Sequence, residues 1–361
     1  MKAVLSAPVL GQRSADQLLS IPWLRQAGLG LLVVGMLVLP QVYRSEFGLR
    51  VLCMIMIWSM LAIGQNLITG FCGQMSLCHA AFYGIGAYTS SLLTIRLGAP
   101  FPVALLAAGL VAMVLGIAVG FPAIRISGDY LFIVTIGFAE IVRLVFLNWD
   151  VVTNGPLGIP GVPPVRLLGL TLTTNTHYYY LLLFLLAVVV VATWQIVRSD
   201  IGRSFKAIRE DETAALAMGI NTTYYKVLAF AVGAFFAGLA GSVLAHYLAF
   251  VGPDGFTVDE SILVLEMVIV GGLGSIAGSI LGAALLIGSV ETLRWLVDYR
   301  LYVGGILLIG MMIWRPQGLI GSVRLKTPRL RDEPPQAPEP AAPVIPVAQP
   351  EPGVADTTEV H

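Results

Sequence analysis

Apolar residues in this chain come in long blocks separated by short polar or glycine-rich joints. Runs of roughly 17 to 25 residues recur from Ala27 to Trp314, about the length a helix needs to cross some 30 Å of hydrocarbon. The blocks predict spans at Ala27 to Val42, Leu49 to Thr69, His79 to Ile95, Phe101 to Ala123, Tyr130 to Leu147, Tyr178 to Val197, Val227 to Phe250, Ile276 to Leu293 and Leu301 to Trp314. They lack the alternation of a barrel strand, and a bilayer admits only barrels or helices. The expected fold is all-α, a polytopic transmembrane helical bundle of about 9 to 10 membrane segments.

Charge placement orients the bundle. Arg198, Arg203, Lys206, Arg209 and Lys226 crowd the connection after the sixth span, and an excess of basic residues marks cytoplasmic loops. Counting back places the amino terminus in the cytoplasm. Arg315, Arg324, Lys326, Arg329 and Arg331 ask for the same side, yet three full spans separate the two basic regions. One further crossing is required. The stretch Ile262 to Val270, followed by Gly271, Gly272, Leu273, Gly274 and Ser275, is too short to span and reads as one arm of a broken or re-entrant helix.

The boundaries follow. Residues 1–26, with Lys2, Arg13, Asp16 and Arg25, form a cytoplasmic segment too polar for a cleaved signal peptide. Residues 27–321 form the membrane domain, with a cytoplasmic loop at 198–226. The Pro/Gly-rich connection Asn148 to Thr176 and the acidic turn with Asp254, Asp259 and Glu260 fall on the opposite side. Residues 322–361 are rich in Pro, Ala and Glu, cannot bury a core, and read as a disordered, dispensable cytoplasmic tail.

Composition agrees with this outline. The chain is 57% hydrophobic and 12% charged, which places its bulk in lipid. Its 21 basic and 21 acidic side chains balance, so nothing points to nucleic acid. Cys53, Cys72 and Cys78 have no metal-ligand spacing and read as small packing residues.

Catalytic signatures are missing. There is no nucleophile elbow, zincin motif or metal-spaced cluster. None of Lys2, Lys206, Lys226 and Lys326 follows a glycine, which excludes a phosphate-binding P-loop. The chain reads as non-catalytic and without cofactor; any ATP and Mg would sit on another subunit. The polar, glycine-rich joint Thr69 to His79 carries Gly73, Gln74, Ser76 and His79. It presents either a broken helix facing a solute path or a short cytoplasmic turn capped by Ser76, with His79 in the core. Glu140 and Arg143 share a helix face and can neutralise each other, the alternative being a proton relay. Glu266, just before Gly271 and Gly272, and His246 are the other intramembrane ionisable groups, Glu266 being the better cavity-facing candidate, with pairing to an arginine as the equal alternative.

The loop from Asp200 to Asn221 mixes charges with Ala207, Ile208, Ala214, Ala215, Leu216 and Met218. On one helix ended by Gly219, these residues form a docking stripe or the underside of a surface helix.

Four ordered blocks carry a family resemblance over nearly the whole chain: TGFCGQMSLCHAAFYGIGAY from Thr69; Ser127 to Pro160 with GDYLFIVTIGFAEIVRLVFLNW and NGPLGIP; GRSFKAIREDETAALAMGI from Gly202; and ESILVLEMVIVGGLGS from Glu260 joined to RPQGLIG. The chain resembles the LivM type of permease of high-affinity branched-chain amino acid ABC importers. The resemblance implies a bacterial inner-membrane permease with both termini cytoplasmic, paired with a second permease, two ATP-binding subunits and a periplasmic binding protein. It makes Gly202 to Ile220 the segment that docks on the ATPase, with Gly202, Arg203, Ala207, Arg209, Glu210, Asp211, Ala214, Ala215 and Gly219 as coupling residues. Gly73, Gln74, Ser76, His79, Glu140, Glu266, Gly271 and Gly272 become translocation-pathway candidates. Ala214, Ala215 and Gly219 match the spacing of the importer coupling loop, but Thr213 stands where that motif has Glu, and Cys78 replaces a common Gly. Two alternatives stay open: an ion-coupled secondary transporter using Glu140, Glu266 or His79, and an ABC permease for amides or urea.

Overall fold

The computed structural model describes residues 35–41, 45–125, 129–167, 169–292, 300–315 and 318–320. Most of the first expected span, the 1–26 segment, the basic cluster from Arg324 onward and the 322–361 tail lie outside the described residues.

Helices dominate. Helix α1 (Glu46–Asn66) opens at Ser45, whose side chain accepts from the Gly48 N–H, and runs into a π-turn, Leu67–Phe71. Helix α2 (His79–Arg96), α3 (Phe101–Arg125) and α4 (Asp129–Asn148) follow. After the one-turn α5 (Asp150–Thr153) come β1 (Ile159–Pro160), β2 (Arg166–Leu167) and β3 (Leu170–Thr171), then α6 (Asn175–Arg198). Two short helices, α7 (Asp200–Glu210) and α8 (Glu212–Ala217), lead into α9 (Thr222–Leu248). Strand β4 (Phe250–Val251), α10 (Val258–Gly271), α11 (Ile276–Thr292) and α12 (Arg300–Trp314) complete the order. The helix containing α1 and its π-turn, with α3, α4, α6 and α9, is long and apolar enough to cross a membrane. The polytopic helical bundle expected from the apolar blocks is the observed fold. The only strands among the described residues form two-residue antiparallel ladders, β1 with β4 and β2 with β3.

Helix α9 is the axis of the bundle, with 78% of its most apolar window buried against 22% for α4. Glycines let backbones approach it where a side chain would hold them apart. Gly233 faces Gly64 of α1, Gly238 faces Gly86 of α2 and Ala108 of α3, and Gly241 lies on the Tyr83 carbonyl. The α9 helix begins at Thr222, so Lys226, assigned by sequence to the loop, belongs to a membrane helix.

The joint between α1 and α2 is a largely buried, irregular stretch. Residues 73–78 are non-helical, and all but Gly73 and Met75 are buried. Side chains serve their backbone groups: Gln65 Nε2 donates to the Ser76 carbonyl at 2.7 Å, Thr69 Oγ1 to the Gln74 carbonyl at 3.0 Å, and Thr135 Oγ1 accepts from Leu77 N–H at 3.0 Å. Such cover is what buried irregular backbone requires, since each of its polar groups needs a partner. The helix begins after Cys78 without a side-chain cap, so Ser76 is not the capping residue; its Oγ lies 3.1 Å from Cys78 Sγ. All three cysteines are buried and free, as packing residues should be.

The broken helix is present. Helix α10 has 14 residues, about 21 Å at helical rise and short of a full crossing. It stops at Gly272, whose φ of 122° and ψ of 118° suit only glycine. Gly271 then packs on Gly278, and Gly282 on the Met267 carbonyl, making α10 and α11 an antiparallel hairpin. The chain after α12 closes the open end of α10: Leu319 N–H donates to the Val270 carbonyl at 2.9 Å and Ile320 N–H to the Gly271 carbonyl at 3.0 Å.

At the other end of α9, His246 is held from both sides. Its Nε2 lies 3.0 Å from Ser90 Oγ, which accepts from Ser242 Oγ at 2.8 Å, and its Nδ1 lies 2.7 Å from the Pro163 carbonyl. A ring with both nitrogens engaged fixes the Pro/Gly connection onto the bundle, a structural role.

Candidate functional site

The segment between α6 and α9 is two helices, not the single helix expected. Asp211, at φ −159°, interrupts it and caps the second: its side chain accepts from Thr213 N–H at 2.8 Å and Ala214 N–H at 3.0 Å. The expected C-cap is present. Gly219 has φ +82°, its N–H donates to the Leu216 carbonyl and Ile220 N–H to the Ala215 carbonyl, each at 3.0 Å, the two bonds of a Schellman end.

The apolar stripe of this segment faces the bundle. Phe205, Ile208 and Ala215 join Leu67, Phe71, Cys72 and Ala229 in one buried cluster. Gly202 is buried against the Val197 carbonyl at the end of α6. Ala215, expected on the docking face, is only 3% exposed and lies underneath. A six-residue helix has two sides, and the cluster occupies this one. The outward side carries Thr213, Ala214, Leu216, Ala217 and Met218, with Met218 82% exposed. Arg203 pairs with Asp200 at the surface, an arrangement worth about 0 to 1 kcal/mol. Ala207 is half-buried and Glu210 exposed.

Two polar ties fasten the segment to the membrane helices. Lys226, buried in the first turns of α9, meets Glu212 of α8 at 2.6 Å. Arg209, at the last turn of α7, is exposed, and its Nη1 donates to the Gly70 carbonyl at 2.5 Å. Gly73 and Gly274 make room for it: a Cβ on Gly73 would lie 3.0 Å from Arg209 Cα, and one on Gly274 2.9 Å from Nη1. Asn66, one π-turn before Gly70, accepts from Gly274 N–H at 2.8 Å and donates to the Ser275 carbonyl at 2.9 Å and to Ser279 Oγ at 2.8 Å.

The pathway candidates are therefore dispersed. Gly73, Gly271 and Gly272 gather around the α10–α11 break and the Arg209 tie, and Gln74 and Ser76 line the covered joint. His79 is fully buried, its ring against Gly64, with no hydrogen-bond partner for either nitrogen among the described residues. Glu140 closes on Arg143, which donates through Nε at 3.0 Å to both carboxylate oxygens and through Nη2 at 2.6 Å. Glu266 is buried on α10 against Gly304 of α12. Among the described residues, no group of three or more His, Cys, Asp or Glu could hold a metal ion.

Sequence reasoning missed Asn66, the Lys226–Glu212 pair and the Arg209–Gly70 bond. Only Lys226 left a trace, a lone cation inside the first turns of an apolar block.

Comparison with known proteins accounts for this architecture. The family described as branched-chain amino acid transport system, permease component, matches residues 47–314. The chain is 38% identical over 303 residues to the high-affinity branched-chain amino acid transport system permease protein LivM of Salmonella typhimurium, covering 78% of this chain and 71% of that protein. It is 38% identical to LivM of Escherichia coli, over 74% and 69% of the two chains. LivH of Salmonella typhimurium is 26% identical over 73% of this chain and 91% of its own. No solved structure matches. The matched stretch holds α1 to α12, the glycine-lined axis and the tied α7–α8 segment together, and on that extent the chain belongs to the permease-component family of branched-chain amino acid transport systems.

Proposed function

We propose that this chain is one half of the membrane channel of an ATP-driven importer and passes branched-chain amino acids released by a periplasmic binding protein. Two ATP-binding subunits supply the ATP and Mg chemistry, and a second, homologous permease completes the channel. The site is the bacterial inner membrane, with residues 1–26, 198–226 and 322–361 in the cytoplasm around a permease domain at 27–321. The observation that carries the reading is the α7–α8 segment within a family-matched permease. It is tied inward through Arg209, Lys226 and Ala215, and it presents Ala214, Leu216 and Met218 outward for the ATPase.

Transport follows from alternating access: ATP binding moves the docked segment, and the bundle reorients around the solute. Gly73, Gln74, Ser76, His79, Glu140, Glu266, Gly271 and Gly272 make separate contacts in this chain, and the reading puts the path between two permeases. Selectivity then rests mainly with the binding protein. The ion-coupled alternative loses support at Glu140, whose charge is taken up by Arg143.

Reconstitution with both permeases, the ATPase and the binding protein tests the reading. ATP inside the vesicles should drive leucine uptake without an ion gradient. Uptake that persists without ATP and collapses with the proton gradient would refute it, and preference for amides or urea over leucine would reassign the substrate.

A further inference from the structure

Gly70 lies at the point where three parts of the chain converge. The π-turn Leu67–Phe71 closes through Cys72 N–H to the Leu67 carbonyl, and Gln74 N–H reaches the Ile68 carbonyl. The Gly70 carbonyl is taken instead by Arg209 from α7, 139 residues away. On its other flank Gly70 fits against Asn66 and the Gly274 backbone. Asn66 in turn holds Gly274, Ser275 and Ser279, which form the break between α10 and α11 and the first turn of α11. One guanidinium thus joins the end of α7 to the end of α1, and through Asn66 to the broken helix. The Lys226–Glu212 pair holds the neighbouring α8 to α9 at a separate point.

We infer that Arg209 is a positioning residue for transport: a strut that carries displacement of the α7–α8 segment to the end of α1 and the α10–α11 break, while Lys226–Glu212 serves as the pivot. This rests on the reading of that segment as the ATPase-docking element. The geometry separates the two tasks. Arg209, although exposed, spends its guanidinium on the buried Gly70 carbonyl, whereas Met218 and Leu216 face outward with no part in the tie. Gly73 packs on Arg209 Cα, Cβ and Cγ while Gly274 and the Gly70 carbonyl meet its guanidinium, so displacement of the α7 backbone passes to both ends of the side chain. Arg209 is exposed, yet its guanidinium is committed to the Gly70 carbonyl and packs beside Gly274 rather than being left for a partner subunit.

The experiment uses the reconstituted complex. The three native cysteines are buried, so a Met218→Cys thiol reports docking by cross-linking to the ATPase. Uptake per ATP hydrolysed reports transmission. With Arg209→Ala added, the cross-link should form to the same extent while uptake per ATP falls at least tenfold. Arg209→Lys, which keeps a long cationic donor, should recover part of the loss. Unchanged uptake per ATP in Arg209→Ala would overturn the strut. Loss of the cross-link in that variant would also overturn it, by making Arg209 a docking residue. Failure of Met218→Cys to cross-link with Arg209 intact would instead sink the docking reading, and the strut with it.

Discussion

The Lys226 ammonium, 1% exposed, meets the Glu212 carboxylate at 2.6 Å, while Glu212 keeps 34% of its side chain in solvent. The two partners of one ion pair therefore stand in different environments, and their removal should not be equivalent. Glu212→Ala strands a buried cation and should cost about 3 kcal/mol, at the lower end for a broken buried pair. Lys226→Met leaves a carboxylate that water already reaches and should cost about 1 kcal/mol. Thermal unfolding of the purified protein, followed in parallel for both variants, checks the order. Equal losses would contradict it.

The caps of α8 give a second expectation. Asp211→Ala removes two hydrogen bonds at the helix start and should loosen α8 by about 1 kcal/mol. Gly219→Ala forces a side chain into a left-handed turn at a comparable cost of about 1 kcal/mol. Both should appear as faster proteolysis within residues 211–219 without change in the membrane helices, read by mass spectrometry of the fragments.

Burial separates Ala215 from Met218. Ala215→Asp places a carboxylate among Phe205, Ile208 and Leu67, where an unpaired charge is not tolerated. It should loosen the whole α7–α8 segment, as seen by proteolysis, and lose the ATPase as a consequence. Met218→Asp lies at the surface and should keep native proteolytic resistance while co-purification with the ATPase falls about tenfold, equivalent to 1.4 kcal/mol. Retention of the ATPase by Met218→Asp would remove α8 from the interface.

In the membrane, Glu140 and Arg143 neutralise each other on α4, the most exposed of the long helices. Glu140→Gln should leave an uncompensated arginine and lower the yield of inserted protein by severalfold. The exchange Glu140→Arg with Arg143→Glu should restore it. Membrane-fraction quantification decides, and a double exchange no better than the single change would show that the two groups do not act as a pair.

The sequence made five crossing helices of the described residues legible because lipid imposes length and composition on them, and the stop at Gly272 because its glycines follow a block too short to cross. Gly219 was legible for the same local reason: a left-handed residue after a short helix selects glycine. The face of Ala215 was not. A helix of six residues offers less than two turns of periodicity, and Ala214 and Ala215 are chemically identical, so only the cluster beneath α8 decides which points inward. The signal for two helices was present in Asp211, which precedes Glu212 and Thr213 as a helix start, but the Asp200 to Asn221 loop was read as one unbroken stretch. The Arg209–Gly70 bond joins positions 139 residues apart, and no local pattern encodes such a partner.

The two hydrogen bonds from Leu319 and Ile320 to the end of α10 impose an order of events during synthesis. Val270 and Gly271 leave the ribosome some fifty residues before the donors that complete them, so the α10–α11 hairpin enters the membrane with an unfinished end. It closes only once α12 has been threaded and the chain beyond Arg315 has turned back. A nascent chain halted before position 319 would hold every helix of the described bundle and still lack the latch of its broken one.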